Sequence, residues 1–290
     1  MAGKLVICPT PIGNLGDMPP RALEALRAAD VVCAEDTRVT GKLLAALGVE
    51  GKRFERLDEN VIGQRAESIV ARVQAGETIA YCSDAGMPGV SDPGLRLVNA
   101  AHEAGAPVEV LPGPTAVATA YVASGCMAQA FYFGGFFPRK DAARRALLES
   151  LRGLDAALIF YESPNRLIDA LISIETVFPA RNLAACRELT KLHEEVLRGK
   201  AHEIREILEA RGSVKGEIVI VIDSAGEAEK QADAFRAHDD AATRAAELVA
   251  QGVRPKQIAR QLADELGIPR NEAYEIALSA KEISTPEVLG

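Results

Sequence analysis

Apolar residues along this chain follow two alternating rhythms. Short unbroken apolar runs at 4–8, 31–34, 79–82 and 107–111 read as buried strands. Between them, apolar positions recur at helical spacing. Residues 21–29 carry Leu23 and Leu26, and residues 40–47 end at Gly48. Residues 63–74 carry Ile69, Val70 and Val73 and end at Gly76, and residues 95–104 complete the set. A helix of small residues, 116–124, closes this half at Gly125. The alternation then resumes. Strands are predicted at 131–135, 156–161, 183–186 and 217–222, the last with an alternating pattern, and helices at 142–151, 167–177 and 201–210. Strands alternating with helices predict a largely parallel sheet. The expected organisation is an α/β fold with one α/β domain at 1–125 and a second at 126–225. The polar, weakly patterned stretch 226–238 reads as a linker. Three helices follow at 241–250, from Pro255 to Gly267, and at 270–280, in a helix-turn-helix-like domain spanning 239–290.

The pattern breaks most sharply after the run at 79–82. There the chain reads Ser83-Asp84-Ala85-Gly86-Met87-Pro88-Gly89-Val90-Ser91-Asp92-Pro93-Gly94. A tight turn needs two or three such residues. This loop has many more, and it offers carboxylates and hydroxyls on a backbone with both glycine freedom and proline stiffness. It reads as a binding loop. Other informative loops also follow predicted strands: Pro9 to Asp17, Glu35 to Arg38, Pro112 to Thr115, Phe136 to Lys140, Glu162 to Arg166 and Arg187 to Lys191. Parallel topology would gather these loops on one edge, where they can converge on a cleft between the two domains. The small residues of 116–124 would let a ligand approach, and would equally serve tight packing of helix on sheet.

Composition narrows the chemistry. The chain has 290 residues, 48% of them hydrophobic and 26% charged, and a net charge of −8. No global basic excess announces a nucleic acid, although a local patch would suffice. No G-x-G-x-x-G, phosphate-loop or G-x-S-x-G motif is present. His193-Glu194-Glu195 lacks the second histidine of a metalloprotease, and four histidines in all make a metal unexpected. Five cysteines form no C-x-x-C pair and read as reduced, buried thiols of a cytoplasmic protein. The apolar part of the N-terminal stretch is too short for a signal peptide, and no run approaches the roughly 20 residues of a membrane span. The cleft is therefore expected to take an organic ligand. Proline-rich loops offer carbonyl oxygens and few N–H donors, which suits a cation.

The loops carry a further signal in their order. P-T-P-I-G-N-L-G-D at Pro9, A-E-D-T-R at Ala34, S-D-A-G-M-P-G-V-S-D-P-G at Ser83 and L-P-G-P-T-A at Leu111 are followed by G-F-F-P-R-K, Y-E-S-P-N-R-L and C-R-E-L-T-K-L-H-E-E. Over roughly residues 4–224 the chain resembles the bacterial small-subunit ribosomal RNA methyltransferase I family, cytidine 2′-O-methyltransferases of 16S rRNA within the tetrapyrrole methylase superfamily. The resemblance implies two α/β domains with S-adenosylmethionine in the cleft between them, a homodimer and no metal. It implies a 16S rRNA substrate in the decoding region of the small ribosomal subunit, with no membrane or DNA partner. It places the cofactor against Pro11, Gly13, Asp84, Met87, Pro88, Thr115 and Ala116, with Tyr161 and Leu189 closing over it.

A ribose hydroxyl is barely ionised at neutral pH, so a base or strong polarisation is expected. Asp36, Asp84, Glu162, Glu188 and Lys191 lie on the converging loops, with Glu162 or Glu188 expected to orient or deprotonate the hydroxyl. Arg38, Arg139, Lys140, Arg144, Arg145 and Arg187 are expected to hold RNA phosphates. Phe136 and Phe137, beside the most basic run, could stack a splayed base or belong to the core. The same cleft could serve a tetrapyrrole or a diphthamide precursor, or could act as a sensor in a non-catalytic ribosome-assembly factor.

Overall fold

A computed structural model describes residues 3–284. The chain divides into two compact units, Met1–Ser224 and Ala225–Gly290. The first unit holds two five-stranded sheets. Strands β1 (Leu5–Ile7), β2 (Val31–Ala34), β3 (Phe54–Arg56), β4 (Ile79–Cys82) and β5 (Val108–Val110) form a wholly parallel sheet in the order β3-β2-β4-β1-β5. Both faces are covered, so β1, β2 and β4 are buried along their whole length. One face packs on α3 (Glu59–Gln74) and α4 (Gly94–Glu103) through Ile62, Ile69, Val73 and Leu97. The other packs on α1 (Pro20–Ala28) and α2 (Thr37–Ala46) through Leu26 and Leu44.

From β1 the chain crosses to one side of the sheet, and from β4 it crosses to the other. The crevice therefore opens between the loops that leave β1 and β4. Thr10 and Gly86 stitch these loops together: each N–H donates to the other's carbonyl, at 2.9 and 3.1 Å.

The second sheet departs from the expected parallel topology. Strands β6 (Phe131–Phe136), β7 (Ala157–Glu162), β8 (Leu183–Arg187), β9 (Glu195–Gly199) and β10 (Ile218–Ile222) run in the order β6-β7-β10-β8-β9. Only β6 and β7 pair in parallel; β10 is antiparallel to both β7 and β8, and β9 to β8. β7 and β8 thus point the same way, with β6. The loops that leave all three still emerge on one edge, and the segment that enters β10 emerges there too. β10 does not present one polar face: all five of its residues are buried.

Helix α5 (Ala116–Ser124) lies on the inner face of this sheet, with Val117 and Ala120 against Ile159, Cys186 and Val219. Its small residues serve close packing along the helix body, while Thr115 and Ala116 at its start face the crevice. On the outer face, α6 (Asp141–Ser150), α7 (Leu167–Val177) and α8 (Ala201–Ala210) bury Leu148, Leu171, Ile174 and Ile204.

The second unit is three helices around its own core: α9 (Glu227–Ala250), α10 (Pro255–Leu266) and α11 (Arg270–Ser284). The stretch 226–238 is not an irregular linker, because nearly all of it is helical, as the first half of α9. That half buries none of its described side chains, so it lacks the apolar stripe by which a helix is recognised. Among the described residues no helix is long and apolar enough to cross a membrane.

Candidate active site

A cavity of about 580 Å³ opens where the loops of the two sheets meet. Its apolar walls come from Ile12, Met87, Val90, Leu189 and Val219. Its charged lining consists of Glu35, Asp84, Asp92, Glu162 and Glu217, with no lysine, arginine or histidine among the described residues. Two of these acids are neutralised from outside the lining: Arg166 Nη2 lies 2.6 Å from Glu162 Oε1, and Lys191 Nζ lies 3.0 Å from Glu217 Oε2. Glu35, Asp84 and Asp92 have no ion pair among the described residues.

The long loop after β4 is braced from within. Asp92 Oδ1 accepts from the N–H groups of Gly89 and Gly94 at 2.7 and 2.8 Å, and Ser91 takes a left-handed φ of 71°. Asp84 Oδ1 accepts the Asp36 N–H at 3.0 Å. Burial, and then the Asp36 charge, raise the Asp84 pKa above the usual carboxylate value. Glu35 is raised too, by burial first and then by Asp84 and Asp92. The cleft therefore concentrates negative charge that its own residues do not balance.

Glu162 ends β7 and is 2% exposed. Its Oε1 takes the Arg166 ion pair and also accepts the Ser163 N–H at 2.7 Å. Its Oε2 is buried without a partner. Glu162 is one of the residues around the cavity, and its side chain is fully buried there, so this oxygen is an unmet acceptor beside the cleft.

Glu188 and Lys191 sit at the rim and do not line the cavity. Lys191 Nζ donates to Glu188 Oε1 at 2.9 Å, and the Glu217 N–H donates to the same oxygen at 2.9 Å. The Lys191 hydrogen bond holds the Glu188 carboxyl below its ordinary pKa. Burial opposes the Lys191 charge, but its bonds to Glu188 and Glu217 prevail and raise its pKa. With left-handed φ values of 50° at Glu188 and 65° at Thr190, this loop is held in one shape. A side chain at Gly13 would overlap Lys191, so the loops after β1 and β8 are in contact. Asp36 caps α2 by accepting the Arg38 N–H, and pairs with the Arg38 side chain, whose hydrogen bond holds the Asp36 carboxyl far below the usual range.

Of the residues expected around a cofactor, Asp84, Met87, Thr115, Ala116, Tyr161 and Leu189 line the cavity. Pro11 and Pro88 are buried within their loops, and Gly13 is exposed, lying against Lys191. The sequence pattern does not single out Glu35, Asp92 or Glu217. Glu35 and Asp92 lie inside loops that the sequence marks, Glu35 directly before Asp36 and Asp92 four positions beyond Pro88. Glu217 reads from the sequence as the first residue of its strand; the structure places it just before β10, and only an antiparallel β10 brings it to this edge. Burial, and then Glu217 and Asp92, push the Tyr161 hydroxyl up to about 12, so it stays protonated and can donate. Burial likewise pushes the Cys186 thiol in the cavity wall up to about 12, which leaves it inert.

The basic residues divide. Arg139 and Lys140 are exposed, and neither forms an ion pair among the described residues. Arg38, Arg145 and Arg187 are paired with Asp36, Asp141 and Glu195. Arg144 does not belong to a phosphate-binding surface. It is 3% exposed, and its guanidinium donates to Ser173 Oγ at 3.0 Å and to the Arg139 and Asp169 carbonyls.

The chain matches the family model described as Tetrapyrrole (Corrin/Porphyrin) Methylases over residues 4–205. It is 41% identical over 285 residues to the ribosomal RNA small subunit methyltransferase I of Micromonospora olivasterospora, covering 98% of this chain and 90% of that one. In fold it is similar to diphthine synthase, with a TM-score of 0.61, 14% identity, and coverage of 78% of this chain and 92% of that one. It is also similar to uroporphyrin-III C-methyltransferase from Thermus thermophilus complexed with S-adenosylhomocysteine, with a TM-score of 0.53, 16% identity, and coverage of 76% and 97%.

Proposed function

The chain belongs to the tetrapyrrole methylase family, and from that premise we propose that it transfers a methyl group from S-adenosylmethionine to small-subunit ribosomal RNA, at the 2′-hydroxyl of a cytidine ribose in the decoding region. The observation that carries this reading is the cavity lined by five carboxylates and no basic side chain. Such a lining fits a sulfonium cation and repels a nucleotide phosphate. Similarity over almost the whole chain to an enzyme named for small-subunit ribosomal RNA supports the acceptor.

When bound, the cofactor supplies an electrophilic methyl on a positively charged sulfur. Glu35, Asp84 and Asp92 provide the unbalanced negative field that holds this charge. Thr115 and Ala116 meet the ligand from the start of α5, and Tyr161 and Leu189 meet it from the opposite sheet. Ile12, Met87 and Val219 exclude water from the cavity. Glu162 is the group best placed to act on the acceptor. Arg166 and the Ser163 N–H fix the carboxylate through one oxygen, leaving Oε2 free to accept the ribose hydroxyl proton. Glu188, Lys191 and Asp36 act by holding the loops that shape the cleft, not on the acceptor itself. Holding hydroxyl and methyl in line supplies much of the rate. Arg139 and Lys140 hold RNA phosphates outside the cavity. The protein works in the cytoplasm as a homodimer.

The test is transfer of label from S-adenosylmethionine to small ribosomal subunits isolated from cells lacking this gene. Label is expected on a cytidine ribose of these subunits and not on subunits from normal cells. Cofactor binding without label would redirect the reading to another acceptor or to an assembly factor.

A further inference from the structure

Two neighbouring phenylalanines at the end of β6 point to opposite sides of their sheet. Phe137 is in the core, with its ring stacked on Phe160 at 3.9 Å between centroids. Phe136 is 57% exposed and lines the cavity, edge-on to Tyr161 at 5.5 Å. Simple alternation along β6 would put Phe136 on the face of Tyr132, which packs on the core side, and Phe137 on the cleft side. A register shift reverses this. Phe133 pairs with Ile159 and Phe136 with Tyr161, so β6 uses three steps where β7 uses two. The extra residue is accommodated at Gly134-Gly135. Gly135 has a φ of 68°, and a side chain at Gly134 would overlap the Phe160 ring. Bulges beside active sites re-aim side chains in this way, and this one turns an aromatic ring into the cleft.

We propose that Phe136 is the platform on which the acceptor base stacks, so that the ribose points inward while the phosphates stay outside. This inference rests on the reading of the protein as a ribosomal RNA methyltransferase. The carboxylate lining bars a phosphate from the cavity, so a polyanion must stop at its mouth. Arg139 and Lys140, three and four positions beyond Phe136, are exposed cations without an ion pair among the described residues and can meet it there. A ring face is how proteins commonly hold a single base out of its stack, and it needs no base-specific hydrogen bond.

The experiment compares the parent with Phe136→Ala, Phe136→Leu and Phe136→Trp, after thermal melts confirm that each is folded. It reads kcat/KM for small subunits from cells lacking the gene, and S-adenosylmethionine affinity by calorimetry. Both Phe136→Ala and Phe136→Leu are expected to lose roughly 5- to 150-fold in kcat/KM for the subunit, the range of one base–aromatic stack. Phe136→Trp should restore transfer, and cofactor affinity should not change. Full activity of Phe136→Leu would overturn the proposal, since apolar cover alone would then suffice. A parallel loss of cofactor affinity would overturn it too, by making the ring part of the cofactor wall. A parent that labels no subunit at all would instead remove the reading beneath it.

Discussion

Replacing Glu162 by Gln keeps the size of the side chain and its bond from the Ser163 N–H, but removes the negative charge that Arg166 balances and the base. Methyl transfer in a single turnover is expected to fall about 10²- to 10⁴-fold, the usual contribution of a general base, with cofactor affinity retained by calorimetry. Glu35 makes a prediction in pH. Its pKa is raised in the fold, so the native state binds that proton more tightly than the unfolded chain does. Stability from this group is therefore greatest at low pH and is lost as pH rises from the ordinary glutamate value through the raised one. Glu35→Gln should raise the melting temperature of the free protein at neutral pH, have no such effect below about pH 4, and weaken cofactor binding. Arg144 shows where residue-level reading of the sequence stopped. It belongs to a run of basic residues, yet the turn of α6 sends it inward to the Ser173 hydroxyl and the carbonyls of Pro138, Arg139 and Asp169. Arg144→Ala should cost roughly 2–4 kcal/mol by denaturant titration, because it leaves buried acceptors unpaired. Arg139→Ala should leave stability within about 0.5 kcal/mol, as surface changes do, and reduce the salt dependence of RNA binding.

Elements were legible where their pattern was dense. The apolar runs at β1, β2 and β4 and the loop after β4 stand out because buried parallel strands carry no polar positions. β3, with the sequence Phe-Glu-Arg, and β9, with Glu-Val-Leu-Arg-Gly, left no comparable trace: both are short edge strands with half-buried side chains. Pairing direction is invisible to periodicity, so the sequence does not mark the approach to β10 although it marks the loops after β6, β7 and β8. The bulge in β6 is also beyond a pattern argument, since one inserted residue reverses every later side chain. Its glycines give a prediction at this scale. Gly134→Ala places a methyl group against the Phe160 ring and should destabilise the protein by roughly 1–3 kcal/mol, as overpacking does. Lower transfer activity should accompany the lower melting temperature as the end of β6 shifts.

At the scale of the whole molecule, residues 225–284 have a core of their own, formed by Ala245, Leu248, Ile258, Leu262 and Ile276. A chain ending at Ser224 should therefore melt cooperatively and bind S-adenosylmethionine as the full chain does; scanning calorimetry and titration of the shortened protein would check both. The cleft belongs wholly to Met1–Ser224, and neither sheet forms it alone. Its unbalanced acids bear on turnover. Loss of the methyl turns a sulfonium into a neutral thioether, so the reaction itself cancels the attraction that held the ligand. A pocket of this polarity grips the charged donor and relaxes its hold on the spent one, and chemistry becomes the trigger for product release.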